Sequence, residues 1–312
     1  MSNSNIHGVG DNEPNDNNKY QYSQGDTTPL FQKFSYKGDP RNQSIISFLK
    51  EAICPFFQFK SFSFIIIIIN ILIYIGSFIP YGLEEKNLGL YFLPPSYKTL
   101  DLLGELCGTT MRNKAYEFYR WLSHNLLHLS FEHIFSNCFS ILVIGTMLEY
   151  LIDTWRYILI YVLSGLLGGL FSVLIEPREH SVGASICICG LISALMGYFI
   201  INWQLLPTIF GIQNRCLIIA LPMMMVLMTI PLVVGTYQGS GIDYSETGVN
   251  VYGHIGGLIF GFFLSFIFIK PKDENATCCF SYKFWFFSSI VICICFAIIG
   301  YLCFYLLDSY KG

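Results

Sequence analysis

Charge is scarce in this chain: 12% of its 312 residues are Asp, Glu, Lys or Arg, about half the share found in soluble domains. With 53% hydrophobic residues and a mean hydropathy of +0.52, that scarcity excludes a soluble domain with one anchor and implies a polytopic membrane protein. There is no excess of basic charge. The net charge of -3 offers no footprint for nucleic acid. The first 30 residues lack a basic segment leading into an apolar one, which predicts no cleaved signal peptide, and they carry acids without Arg enrichment, which argues against a mitochondrial presequence. They are rich in Asn, Asp, Ser and Gly and read as disordered. No C-x-x-C pair occurs, and Cys187 and Cys189 are too close for a structural zinc pair. No two halves of the chain resemble each other, which disfavours a transporter built from repeats.

What is present is a series of apolar runs. Seven spans are predicted, at Phe62 to Ile79, Ser130 to Glu149, Arg156 to Ile175, Ala184 to Trp203, Cys216 to Gly235, Val251 to Ile269 and Phe284 to Leu307. The second, fourth and sixth carry polar residues or glycines and should lie inside the bundle. Cys138, Cys187, Cys189, Cys216, Cys293, Cys295 and Cys303 fall in spans as small hydrophobes. Cys54, Cys278 and Cys279 flank spans and are candidates for palmitoylation. Eleven Lys and Arg fall on the N-terminal side of the seven-span topology and seven on the other, five of those seven in the loop 81–120. This bias places the N-terminus in the cytosol. The sequons at Asn42 and Asn275 then face the cytosol, unmodified.

Three spans hold the informative side chains. "HNLLHLSFEHIFSN" contains His124, His128, His133 and Asn137; the last two are four apart and share one helix face. "GASICICG" places Ser185 at the start of the fourth span, with Ser185, Cys189, Ser193 and Gly197 recurring every four residues. "VYGHIGGLIFGFFLS" places His254 near the start of the sixth, with Gly253, Gly257, Gly261 and Ser265 also every four. Each has a bland reading. A membrane serine bonds the carbonyl one turn back, a histidine joins helices through a neighbouring carbonyl, and small stripes serve packing. Taken together, His133, Asn137, Ser185 and His254 fall at similar depth below one membrane face. Acyl transfer needs such a set: a serine beside a histidine and donors aimed at a developing oxyanion. No Asp or Glu accompanies His254 in its span; Asp243 and Glu246 lie in the preceding loop.

These motifs resemble those of the rhomboid intramembrane serine proteases over Glu117 to Phe262, plus the first span. "GASI" resembles the G-x-S-G nucleophile motif, "HIGGLIFG" the H-x-G-G-x-x-x-G motif, and His133 with Asn137 the oxyanion pair of the second helix. "EFYRW" resembles the end of the large first loop, with Tyr119 where the family often has Trp beside Arg120. Ile186 stands where the family usually has glycine, and Cys189 where it often has an aromatic.

The resemblance implies an all-α polytopic membrane protein, a rhomboid-like six-helix bundle with one additional C-terminal transmembrane helix. Its expected parts are a disordered cytosolic tail (1–43), a candidate interfacial segment (44–60), a catalytic core with a large first loop at 81–120 (61–270), and a linker with the seventh span (271–312). It implies a serine endopeptidase with Ser185 as nucleophile, His254 as general base and acid, and His133 and Asn137 stabilising the oxyanion. Gly183, Gly256, Gly257, Gly261 and Arg120 take structural roles. Single-span transmembrane proteins in the lipid bilayer are the implied substrates, the secretory pathway or plasma membrane is the implied location, and no metal or cofactor is implied. The alternative within the fold is an inactive or weak rhomboid-like protein that binds membrane clients.

Overall fold

The computed structural model describes residues 56–84, 91–202, 250–272 and 281–306. The candidate interfacial helix (44–53) and the fifth span (216–235) lie outside the described residues. Regular structure among those described is helical, apart from isolated antiparallel bridges at Leu83–Pro95 and Leu106–Ser181. In chain order the helices are α1 (Phe62–Gly76), α2 (Tyr97–Leu103), α3 (Gly108–Asn113), α4 (Arg120–Ser123), α5 (Phe131–Ile152), α6 (Thr154–Ile175), α7 (Ser185–Ile201), α8 (Val251–Phe268) and α9 (Tyr282–Leu306). The protein is thus an all-α polytopic membrane protein. α5, α6, α8 and α9 are each long and apolar enough to cross a membrane, whereas α1 and α7 are apolar but shorter.

The helices depart from the expected spans at their ends. α1 stops at Gly76 rather than Ile79, and α5 runs to Ile152 rather than Glu149. α5 also contains a π-helical stretch, Ile141–Gly145. Glu149 turns inward and is 6% exposed. Its carboxylate accepts the Phe62 and Ser63 N–H groups at 2.8 and 2.9 Å, together with the Ser63 and Thr154 hydroxyls at 2.7 and 2.8 Å. A negative charge thereby meets the positive end of α1, joined by Ser61, whose hydroxyl accepts the Phe64 N–H.

The first loop is not irregular throughout, since α2, α3 and α4 fall within or at the end of it. Arg120, 1% exposed, is its hub. It pairs with Glu117, donates to the Glu105 carbonyl at 3.0 Å and reaches Asp101 at 2.9 Å. Such a buried guanidinium is tolerated because carboxylates and a carbonyl satisfy its fork.

α8 packs into the groove between α6 and α7, and glycine permits the approach. A Cβ at Gly256 would stand 2.9 Å from Gly168 Cα of α6. One at Gly257 would collide with the Ile186 carbonyl, and one at Gly261 with the Gly190 backbone. The two predicted small stripes therefore face each other, and backbone meets backbone. α6 carries a small stripe of its own, Ser164, Gly168 and Ser172, four apart and buried, which sequence reasoning did not place inside the bundle; 56% of its apolar stretch is buried against 22% for α9. α9 docks on the outside, through Phe296 against Phe260 at 4.4 Å and Phe171 at 6.2 Å between ring centroids. Its far end buries Phe304 among Leu106, Met111, Leu170 and Val173.

Candidate functional site

α7 begins at Ser185, and α8 begins three residues before His254. The Gly257 and Gly261 contacts set the two helices side by side, which places these residues opposite each other. His254 Nε2 and Ser185 Oγ stand 2.7 Å apart, within hydrogen-bonding distance. Both are partly exposed, while Ile186, Cys187 and Ile188 beneath them are buried. α7 has 17 residues, a length of about 26 Å at 1.5 Å per residue, against a hydrocarbon core of about 30 Å. α7 is therefore shorter than a full crossing, and the segment 176–184 leads into it at Ser185.

That segment carries Gly183, whose φ of +126° suits glycine and strains other residues. The conformation turns the chain against α5. A Cβ on Gly183 would fall 2.6 and 2.7 Å from His133 Cε1 and Nε2, and 3.4 Å from Asn137 Nδ2. His133 and Asn137 therefore border the backbone two residues before Ser185. The Asn137 amide nitrogen is buried and has no hydrogen-bond partner among the described residues. A buried donor without a partner is costly, and this one borders the backbone of Gly183, two residues before Ser185. The structure thus brings together all four residues singled out for acyl transfer.

Further residues hold this arrangement. Asn250 caps α8: its Oδ1 accepts the Gly253 N–H at 2.6 Å and the Ser172 hydroxyl at 2.8 Å, while its carbonyl accepts the His254 N–H at 3.1 Å. Sequence reasoning did not single out Asn250, although an Asn just ahead of an apolar run is a cap signal; nothing local signals its tie to Ser172 on α6. The His124 carbonyl accepts the Gly183 N–H at 2.8 Å, fixing the approach to Ser185. His124 and His128 are buried, and burial pushes each imidazole down to about 3. Both are neutral at physiological pH, and His128 lies with its ring 5.3 Å from that of His133. Ile186 fills the space that two glycines leave. Its Cδ1 would be 2.6 Å from a Cβ on Gly253, and its Cγ2 lies against Gly168. Among the described residues, no three His, Cys, Asp or Glu side chains are arranged to hold a metal ion.

Residues 115–271, just over half the chain, match the Rhomboid domain family. The chain belongs to the rhomboid family. Rhomboids are intramembrane serine proteases, and relatives span bacteria and plants. The chain is 32% identical to the RHOMBOID-like protein 6, mitochondrial, of Arabidopsis thaliana over 59% of its own length and 54% of the relative's. It is 27% identical to the putative rhomboid protease YdcA of Bacillus subtilis over 61% of its length and 87% of the relative's. It is 33% identical to the inactive RHOMBOID-like protein 8 of Arabidopsis thaliana over 36% of its length and 32% of the relative's. The chain spans about half the length of several curated plant rhomboids it matches. This rhomboid differs from the usual motif at Ile186, and its own Gly168 and Gly253 make the room that residue needs.

Proposed function

We propose that this rhomboid is an active serine endopeptidase that cleaves single-span transmembrane proteins through a Ser185–His254 dyad. The observation that carries the reading is the 2.7 Å contact between Ser185 Oγ and His254 Nε2. In the proposed mechanism, the Ser185 hydroxyl donates to Nε2 and gives up its proton as the oxygen attacks a substrate carbonyl. The oxyanion is held by the Ser185 N–H and by side-chain donors of His133 and Asn137. His254 next protonates the leaving amine, then activates the water that releases the acyl-enzyme. No carboxylate is assigned to His254; the Asn250 cap and the close α7–α8 packing orient its ring instead.

Residues 61–270 act as the catalytic core in this reading, residues 1–43 as a cytosolic tail, and residues 271–312 as linker and added helix. The protein resides in the secretory pathway or plasma membrane, with the site opening toward the side opposite the cytosol. Ser185→Ala and His254→Ala should each abolish cleavage of a single-span substrate with a weak helix, measured with purified protein in proteoliposomes. Ser185→Ala should also lose labelling by a fluorophosphonate. Undiminished cleavage by Ser185→Ala would overturn the proposal in favour of a client-binding rhomboid carrying a contaminating protease.

A further inference from the structure

Cys107 is a cysteine that membrane spans do not explain. It precedes α3 in the first loop and is 1% exposed. The antiparallel bridge between Leu106 and Ser181, with two hydrogen bonds of 2.9 Å, joins this loop to the segment that leads to Ser185. The bridge sets Cys107 beside His180. Cys107 Sγ lies 3.7 Å from His180 Nε2, and His180 Nδ1 lies 2.6 Å from Glu105 Oε1. The Thr109 hydroxyl stands 3.2 Å from the sulfur. Arg120 holds the Glu105 carbonyl from behind at 3.0 Å.

A thiol, an imidazole and a carboxylate are thus in line, each nitrogen of the ring engaged on one side. Buried thiols without such partners are inert, while a thiol beside an imidazolium is reactive. Burial would push the Cys107 thiol up, yet the hydrogen bonds of His180 and Thr109 bring it down to about 6. The hydrogen bonds to Cys107 and Glu105 raise His180 to about 10. Both shifts favour the thiolate–imidazolium form of the pair.

Access selects the reagent. The His180 side chain is 46% exposed and exchanges protons with water. Cys107 is covered, which favours small reagents over protein thiols and glutathione disulfide. Every cysteine among the described residues is free, so no described disulfide competes for it.

We propose that Cys107, supported by His180 and Glu105, is a modification site that reacts with small hydroperoxides. The sulfur lone pair attacks one oxygen of hydrogen peroxide; the S–O bond forms as the O–O bond breaks. Sulfur is oxidised by two electrons to the sulfenic acid, and the departing oxygen is reduced and takes the His180 proton to leave as water. The site lies outside the Ser185–His254 dyad and does not depend on proteolysis.

The test uses the full chain in nanodiscs. A brief pulse of hydrogen peroxide is quenched with catalase, the protein is denatured in dimedone and iodoacetamide, and each cysteine is quantified by peptide mass spectrometry. Cys107 should oxidise at least tenfold faster than Cys138, a partly exposed thiol on α5. His180→Gln should slow Cys107 at least tenfold without changing Cys138. Equal rates for the two cysteines, or an unchanged Cys107 rate in a folded His180→Gln, would overturn the proposal. If that variant fails to fold, the wild-type pH profile decides. With His180 as the titratable group facing the sulfur and Glu105 on the far nitrogen of its ring, the rate should stay level from pH 9 to pH 7 and halve near pH 6. A rate that climbs tenfold from pH 7 to pH 9, as for an ordinary thiol, overturns it.

Discussion

Asn137 shows what a single residue contributes here. Its Nδ2 is buried and has no partner among the described residues, and it lies near the backbone of Gly183. Its proposed acceptor is the oxyanion, which exists only during reaction. Asn137→Ala should therefore lower kcat by about a hundredfold while leaving KM and the unfolding midpoint nearly unchanged. A loss confined to KM in a cleavage assay would count against the oxyanion role. Asn137→Ala removes an unsatisfied donor, so the fold itself has little to lose. Ile186 makes a different point. It follows the serine in a position the family usually gives to glycine, yet its side chain lies against Gly168 and Gly253. The bulk is absorbed by neighbours on α6 and α8 and stays out of the space beside Ser185. The substitution was legible in the sequence and its compensation was not, because the compensating glycines lie on two other helices.

For the helices, the decisive contact is α7 against α8. The Ser185–His254 geometry rests on residues outside the proposed dyad: Gly257 and Gly261 admit the α7 backbone, and the distance between Ser185 and His254 follows from that approach. A Cβ on Gly261 meets the Gly190 backbone, which cannot move aside as a side-chain tip can. Gly261→Val should force α8 outward and reduce fluorophosphonate labelling of Ser185 at least tenfold, although neither dyad residue is touched. Gly76→Ala, at the exposed end of α1 with open space around it, should leave labelling unchanged and serves as the control. The same logic explains why Glu149 is tolerated inside the bundle. One carboxylate satisfies two N–H groups and two hydroxyls at the start of α1, and a buried charge with that many donors is held rather than expelled.

For the whole molecule, orientation is the open quantity that charge bias addresses. Eleven Lys and Arg against seven, with five of the seven in one long loop, favours a cytosolic N-terminus. Asn275, in a sequon between the sixth and seventh spans, would then never meet the glycosylation machinery. Endoglycosidase treatment of protein made in a eukaryotic cell should produce no mass shift at Asn275, and a glycan there would invert the topology. The C-terminal helix adds a second feature at this scale. α9 is exposed along most of its length, but Phe304 is fully buried against the first loop. It therefore clamps the region that carries Arg120, Cys107 and the bridge to Ser181.

The sequence by itself determined the class, put apolar helices at six of the seven expected spans, and nominated the four residues of the proposed site. These properties are written locally: apolar runs set spans, four-residue spacing puts His133 with Asn137 and aligns the small stripes, and Ser185 and His254 each stand at the start of a run. Tertiary structure decided everything that depends on residues far apart in the chain meeting. The hydrogen bond joining Ser185 to His254, the contact of Gly183 with His133, the Asn250–Ser172 tie and the Cys107–His180–Glu105 line all join separate segments. No local period encodes such meetings, because helix packing sets them, and packing depends on which side chains are small enough to let two backbones touch.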